Sequence, residues 1–250
     1  MLKTEREHEI INILKGKKGF VTVKELCERL FASESSIRRD LTALANKGMI
    51  KKTYGGAEIV TNFSNVVDFS KRTHHNITAK KIIAKKAVKL IDDRSIIFLD
   101  QSSTAFYLAN ELLERNSVTV ITNNIEILSL LSNSGIRVVA SGGYLSSENR
   151  NCLIGSDAQS IFENTYADMV FFSAKSLSDE GIISDCTRDE VVLRNSMIKN
   201  SAKKIFLCDS EKFGTMSAYK QCRLCDVDYL ISEDESAKKF SICSKSLKIL

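Results

Sequence analysis

Ser33-Glu34-Ser35-Ser36-Ile37-Arg38-Arg39-Asp40-Leu41 reads as the opening of a short amphipathic helix. Ile37, Leu41 and Leu44 recur at i, i+4 and i+7 and form one apolar face. Ser35, Arg38, Arg39, Thr42 and Asn46 fall on the opposite side, and Ser33 stands where an N-cap belongs. Hydroxyls and amides meet base edges, and guanidiniums meet guanine or phosphate. A helix with this front suits the major groove of duplex DNA.

The flanking residues extend the pattern. Thr22-Val23-Lys24-Glu25 is a capping-box sequence, followed by Leu26, Cys27 and Leu30 as the apolar face of a preceding helix. Phe31-Ala32 makes the tight turn into Ser33. Ile10, Ile11, Ile13 and Leu14 form the stripe of a first helix that ends near Gly16 and Gly19. Gly48 closes the recognition helix. Met49 to Ala57 then reads as strand, turn and returning strand. Three helices and a basic hairpin predict a winged helix-turn-helix over residues 1–57. Its candidate DNA contacts are Ser35, Ser36, Arg38, Arg39 and Thr42 on the helix, with Lys51, Lys52, Tyr54 and Gly55 on the hairpin. A generic three-helix domain with a solvated basic face would share the apolar stripe. The second capped helix, tight turn, paired arginines and basic hairpin together favour the winged form.

The charge distribution agrees with a DNA-binding end. Residues 1–57 carry 12 Lys and Arg against 7 Asp and Glu, and the remaining residues 24 against 24. The whole excess of +5 therefore lies where phosphate would be met. A 43% hydrophobic, 27% charged composition is that of a soluble globular protein. No apolar run approaches the ~20 residues that span a bilayer, and the N-terminus lacks a signal-peptide core, so a cytoplasmic location is expected. Seven scattered cysteines argue for reduced thiols. Cys222 and Cys225 form a lone CxxC with no histidine nearby, and His8, His74 and His75 are the only histidines. No metal or cofactor is implied.

Residues 58–75 are polar and aperiodic and read as a linker. Ala79 to Ile91 resumes a helical stripe, with Lys80, Lys81, Lys85, Lys86 and Lys89 expected on its solvated face. Beyond it, short apolar runs at Ser95–Leu99, Val118–Ile121, Ile136–Val139, Met169–Phe172, Lys204–Leu207 and Tyr229–Ile231 alternate with helical segments. This alternation predicts a mostly parallel α/β sheet over residues 76–250, covered on both faces. In such sheets ligands bind beyond the carboxyl ends of the strands. Polar residues collect there: Asp100, Ser102, Ser103 and Thr104 after the first strand, then Thr122 and Asn123, then Gly142 and Gly143, and finally Asp209 and Lys212. Amides and hydroxyls at a helix start suit a phosphate, Lys212 its counter-charge, and carboxylates and Asn123 sugar hydroxyls. Each loop alone could be mere capping and turn formation; four at one edge favour a site.

Two of these segments carry a resemblance. Ser36-Ile37-Arg38-Arg39-Asp40-Leu41 followed by Tyr54-Gly55-Gly56-Ala57 resembles the signature of DeoR-family transcriptional regulators, with Tyr54 where a His usually precedes the glycines. Ala79 to Ala84, Asp100 to Thr104, Thr122-Asn123, Gly142-Gly143, Gly155 and Asp209 to Gly214 resemble the family's sensor domain in order and spacing. Ser102 and Ser103 replace the Gly and first Thr of the usual loop. The resemblance implies a sensor related in fold to ribose-5-phosphate isomerase and glucosamine-6-phosphate deaminase. It implies a repressor of a sugar-metabolism operon, bound to a double-stranded operator as a homo-dimer or tetramer and released by a phosphorylated sugar. Two rivals stand beside it. One is a sugar-phosphate isomerase or deaminase with a DNA-binding appendage, using Asp100, Asp185, Glu190 or Asp209. The other is a second domain that serves only oligomerisation.

Overall fold

Apolar residues at helical spacing bury the inner faces of three helices at the start of the chain. In the computed structural model, which describes residues 3–16, 20–46, 50–59, 66–115 and 117–250, these are α1 (Lys3–Gly16), α2 (Val23–Leu30) and α3 (Glu34–Asn46). Ile10, Leu14, Leu26, Ile37, Leu41 and Leu44 meet in one core, each at most 2% exposed. Gly19, Gly48 and Met49, invoked above as helix ends and strand start, lie outside the described residues, as do residues 60–65 of the expected linker. The hairpin pairs β2 (Ile50–Thr53) with β3 (Gly56–Ile59). A third strand not foreseen, β1 (Phe20–Thr22), pairs antiparallel with β3, giving the order β1-β3-β2. Three residues are too few to show a period, so this strand had no sequence signal of its own.

The chain divides into two compact units, Met1–Asn62 and Phe63–Leu250. The linker expected over 58–75 needs correction at both ends. Glu58 and Ile59 complete β3, and Phe69–His74 forms α4. Phe69 is buried and meets Phe106 edge-on at 5.9 Å between ring centroids. One aromatic thus anchors a helix too short to show a stripe.

The second unit follows α4 with α5 (Ile77–Ala87), β4 (Ile96–Leu99), α6 (Ser103–Glu111), β5 (Thr119–Thr122), α7 (Ile125–Leu131) and β6 (Arg137–Ala140). A small hairpin, β7 (Tyr144–Leu145) with β8 (Leu153–Ile154), precedes α8 (Ser156–Glu163) and β9 (Ala167–Phe172). Then come β10 (Ser176–Leu177), β11 (Ile182–Asp185), α9 (Arg188–Lys199), β12 (Ser201–Leu207), β13 (Tyr219–Arg223), β14 (Tyr229–Ile231) and β15 (Lys248–Ile249). The main sheet has the order β15-β14-β12-β9-β4-β5-β6, and all six pairings are parallel. β10, β11 and β13 form a separate antiparallel sheet.

The period of two along each strand divides the core into two layers. Ile97, Leu99, Val120, Phe171 and Ile205 face α5, α6 and α7 through Ile83, Ala87, Leu108 and Leu131. Phe98, Val170, Phe172 and Phe206 face the other way, toward Phe162 of α8, Met197 of α9 and Phe240. Parallel strands sandwiched in this way deliver all their carboxyl ends to one rim, and the polar loops leave from that rim.

Candidate functional site

In the first unit, capping fixes how α3 is presented. The amide of Glu25 donates to Thr22 Oγ1 at 3.1 Å, which starts α2. Phe31 ends it in the left-handed region at φ 49°, and the amide of Ala32 returns to the Cys27 carbonyl. The amides of Ser36 and Ile37 donate to the Ser33 carbonyl at 3.0 Å, opening α3. Asp40, 1% exposed, accepts from Arg6 Nε at 2.5 Å, so it belongs to the core and not to the outer face. Ser35, Arg38, Arg39 and Thr42 are exposed, as are Lys51, Lys52, Tyr54 and Gly55; Ser36 is half-buried. Within this surface Arg38 donates to Glu34 at 2.6 and 2.8 Å, and Lys52 Nζ donates to Thr42 Oγ1 at 2.8 Å. The Thr42 hydroxyl itself donates to the Arg38 carbonyl. Lys51 pairs with Glu58 at 3.4 Å.

The two wing glycines answer different needs. Gly55 turns at φ +89°, and its carbonyl accepts from the Val23 amide at 2.9 Å. A Cβ on Gly56 would lie 2.3 Å from the Val21 carbonyl oxygen, so the wing can lie against β1 only without one.

In the second unit the rim is organised by Asp100. Its Oδ1 accepts from the Ser102 amide and its Oδ2 from the Ser173 amide, both at 3.1 Å. Arg194 Nε also donates to that Oδ2, at 3.0 Å. Arg194 is 1% exposed and reaches Asp185 at 3.1 Å and Gln221 at 2.8 Å through Nη1. Burial disfavours its charge, but Asp185, Asp100 and Glu190 outweigh that and hold the guanidinium charged more firmly than usual. Glu190 accepts from Gln101 and from Asn149, both at 2.9 Å.

A second cluster surrounds Asp209. Lys212 Nζ lies 3.1 Å from Asp209 Oδ2 and donates to Ser173 Oγ at 2.8 Å. Asn76 Nδ2 donates to Asp209 Oδ1 at 3.3 Å. Burial opposes charge on both partners, yet their attraction prevails. The Asp209 carboxyl is held below, and the Lys212 ammonium above, its ordinary range. Lys80 corrects the expectation of a solvated lysine face. It is 4% exposed, and its Nζ donates to the carbonyls of Arg72 and, at 2.6 Å, His75. Burial, and then the charge of Lys212, lower its pKa to about 8.

The structure sorts the expected binding residues into two groups. Asp100 is fully engaged inside the protein. Ser102 Oγ accepts from the Ala105 amide at 3.1 Å as the N-cap of α6, and Thr122 Oγ1 accepts from the Asn124 amide at 3.1 Å. Gly142 turns at φ +77° in open space. Gly143 makes room for the protein and not for a ligand, since a Cβ there would lie 2.3 Å from the Ile154 carbonyl oxygen. Ser103, Thr104 and Asn123 are buried at neighbouring strand ends. Among the described residues, Thr104 Oγ1 and Asn123 Oδ1 meet no hydrogen-bond partner. Both atoms are therefore available to hydrogen-bond a bound polar group or water. With the α6 N-terminus, and with Lys212 placed by Ser173 at the end of the neighbouring strand β9, the rim offers donors of the kind an anion carrying hydroxyl groups needs. Arg194, Gln101, Asn149, Ser173 and Arg72 were not anticipated. An arginine among Val191, Leu193 and Met197 on an otherwise inward stripe was the available signal for Arg194.

Residues 6–63 match the family model for a DeoR-like helix-turn-helix domain, and residues 75–234 that for the DeoR C terminal sensor domain. The chain is 35% identical to the HTH-type transcriptional regulator GolR of Listeria innocua, over 95% of this chain and 93% of that one. It is 29% identical to the lactose phosphotransferase system repressor of Staphylococcus aureus, with full coverage of both. Among solved structures it is similar to ribose 5-phosphate isomerase A of Methanocaldococcus jannaschii, at 21% identity over 54% of this chain and 53% of that one, with a TM-score of 0.41. Among the described residues, no helix is long and apolar enough to cross a membrane.

Proposed function

The chain belongs to the DeoR family of helix-turn-helix transcriptional regulators, and on that premise we propose that it represses a sugar-metabolism operon and is released from its operator by a phosphorylated sugar. α3 enters the major groove. Arg38 and Arg39 meet phosphate or guanine, Ser35 and Ser36 lie near base edges, and Lys51, Lys52 and Tyr54 of the wing meet the backbone. The hydroxyl of Thr42 is engaged by Lys52 and by the Arg38 carbonyl, so it orients neighbours instead of reading bases.

The observation that carries the effector reading is the pair of buried, unpartnered atoms, Thr104 Oγ1 and Asn123 Oδ1, at adjacent strand ends. The phosphate sits at the α6 N-terminus against Ser103, Thr104 and Lys212, and Asn123 takes a sugar hydroxyl. The name of the staphylococcal relative supports a carbohydrate signal. The carboxylates that an isomerase or deaminase would need as bases are engaged elsewhere. Asp100 and Asp185 bond Arg194, Glu190 accepts two amides, and Asp209 is taken by Lys212 and Asn76. That supports a receptor without turnover. Operators read by helix-turn-helix proteins have paired half-sites, which favours a homo-dimer or tetramer.

The test is operator selection from random DNA, followed by gel shift with a panel of pentose and hexose phosphates. One sugar phosphate should release the DNA and raise the melting temperature of the free protein. Arg38→Ala with Arg39→Ala should abolish the shifted band. Binding that no phosphoester weakens would overturn the effector reading, and absence of any selected sequence would overturn the repressor.

A further inference from the structure

Three of the seven cysteines gather at one corner of the second unit, and none of them takes part in the DNA or effector reading. Cys222 lies on β13 opposite Ile183 and packs into the layer that holds Phe240. Cys225 follows in the 3₁₀ turn Leu224–Asp226, and Cys243 ends the 3₁₀ helix Glu235–Cys243. These two segments touch beside Gly181. The Leu224 amide donates to the Gly181 carbonyl at 2.8 Å. A Cβ on Gly181 would lie 2.8 Å from Cys243 Sγ and 3.5 Å from Leu224 Cβ. The Cys243 sulfur is thus seated against the turn, at the residue that precedes Cys225.

All three are free thiols, and they differ in what they can do. Cys225 is exposed, whereas Cys222 and Cys243 are half-buried. Burial, and then the charge of Asp226, push the Cys222 thiol up to about 12, which leaves it almost no thiolate. Burial also raises the Cys243 thiol, and after burial the charge that acts on it is that of Cys225. Cys225 and Cys243 therefore stand within reach of each other across the contact at Gly181. Cys243 also has room to adjust. Ser241, Ile242, Lys245 and Ser246 around it are exposed, and it closes a nine-residue 3₁₀ run, a length this helix type seldom sustains.

We propose that Cys225 and Cys243 are a thiol pair that a hydroperoxide oxidises to a reversible intramolecular disulfide. The exposed Cys225 thiolate attacks a peroxide oxygen. An S–O bond forms, the O–O bond breaks, and the departing oxygen takes a proton to leave as an alcohol, or as water from hydrogen peroxide. The Cys243 thiolate then attacks the sulfur of the Cys225 sulfenic acid. The S–S bond forms, the S–O bond breaks, and hydroxide leaves as water with the proton that Cys243 gave up. Two thiols lose two electrons and the peroxide gains them. The bond ties the end of β13 to the helix whose Phe240 and Lys239 pack on Phe213, the residue after Lys212.

Peptide mapping of the full chain tests it. The reduced protein, folded or in urea, is treated with hydrogen peroxide, quenched with N-ethylmaleimide, digested with trypsin without reduction and read by mass spectrometry. Trypsin places the three thiols on separate peptides, 221–223, 224–238 and 240–245. The folded wild type should yield peptide 224–238 joined to 240–245 as its main disulfide, and dithiothreitol should separate them. Cys225→Ser or Cys243→Ser should abolish that species, and Cys222→Ser should keep it. In urea, where the fold no longer selects partners, the pairings should be mixed. If Cys222→Ser does not fold, the wild-type map alone decides. A main link to peptide 221–223, a Cys225 that stops at the sulfinic acid, linkage only between copies, or the same mixture with and without urea would each overturn the proposal.

Discussion

Arg194 Nε donates to Asp100 Oδ2 at 3.0 Å, and both side chains are sealed from solvent. This bond joins α9 to the first loop of the rim. Asp100 in turn holds the amides of Ser102 and Ser173, so one guanidinium stabilises the starts of two loops on neighbouring strands. Removing it would leave Asp100 and Asp185 as buried carboxylates without a counter-charge. Breaking a buried pair from one side costs about 3–5 kcal/mol. Arg194→Met should therefore lower the unfolding free energy obtained from urea titrations by that amount. Asp100→Asn, which keeps the shape and one acceptor, should cost less.

Glu34 holds the Arg38 guanidinium on the face of α3 that is read as meeting DNA. The pair is exposed on α3 and contributes at most about 1 kcal/mol to stability. Glu34→Gln frees the guanidinium and removes a negative charge from a surface read as facing phosphate. Operator affinity in fluorescence anisotropy should rise several-fold, with little change in melting temperature. Weaker binding would show that Glu34 itself contacts the duplex.

Phe31 occupies the left-handed region at φ 49° and is 97% exposed. A non-glycine residue there is disfavoured by roughly 1 kcal/mol, and this ring recovers little of that by burial. Phe31→Gly should leave stability unchanged or raise it by up to about 1 kcal/mol, since glycine fits the turn while adding freedom to the unfolded chain. A marked loss of stability in thermal melts would show that the ring packs in solution.

Lys80 should leave its mark on the pH dependence of stability. Its pKa is about 8 in the folded protein against 10.5 when solvated. Below pH 8 both states are protonated, and the folded state bears the full cost of a buried charge. Between pH 8 and 10.5 only the unfolded chain still binds the proton, so stability rises with pH across that window. The charged groups around it are Lys212, Asp209, Arg72 and Glu211. The expected gain is of order 2–3 kcal/mol for wild type relative to Lys80→Met, measured as a difference in slope by urea titration at pH 7.5, 8.5 and 9.5. Parallel slopes for the two proteins would contradict a buried, cationic Lys80.

The sequence made the large elements readable because their signals are repeated. Helical spacing, four residues and then three, runs through Ile37, Leu41 and Leu44, and runs such as Ile96–Leu99 have no alternative to burial on both faces. The short pieces escaped for the same reason. β1, β7 and β10 hold two or three residues each, and α4 is anchored by one buried aromatic. At the rim, composition marked the polar loops that leave the strand ends but not the division of labour within them. Asp100 and Gly143 carry the residue types of a binding loop, yet one is bonded internally and the other yields space to Ile154. Lys80 read as a surface charge and Arg194 drew no reading, because a linear pattern holds no record of the groups that satisfy them, Asp100 at 94 residues from Arg194 and the Arg72 carbonyl at eight from Lys80.

The parallel run of all seven main-sheet strands has an evolutionary corollary. Each rim segment hangs from its own strand end, so one can be exchanged for another of different chemistry without re-registering the hydrogen-bonded ladder beneath it. Replacing the segment from Ser141 to Cys152 with that of a relative should leave the pairing of β5 with β6 and the two hydrophobic layers unaltered.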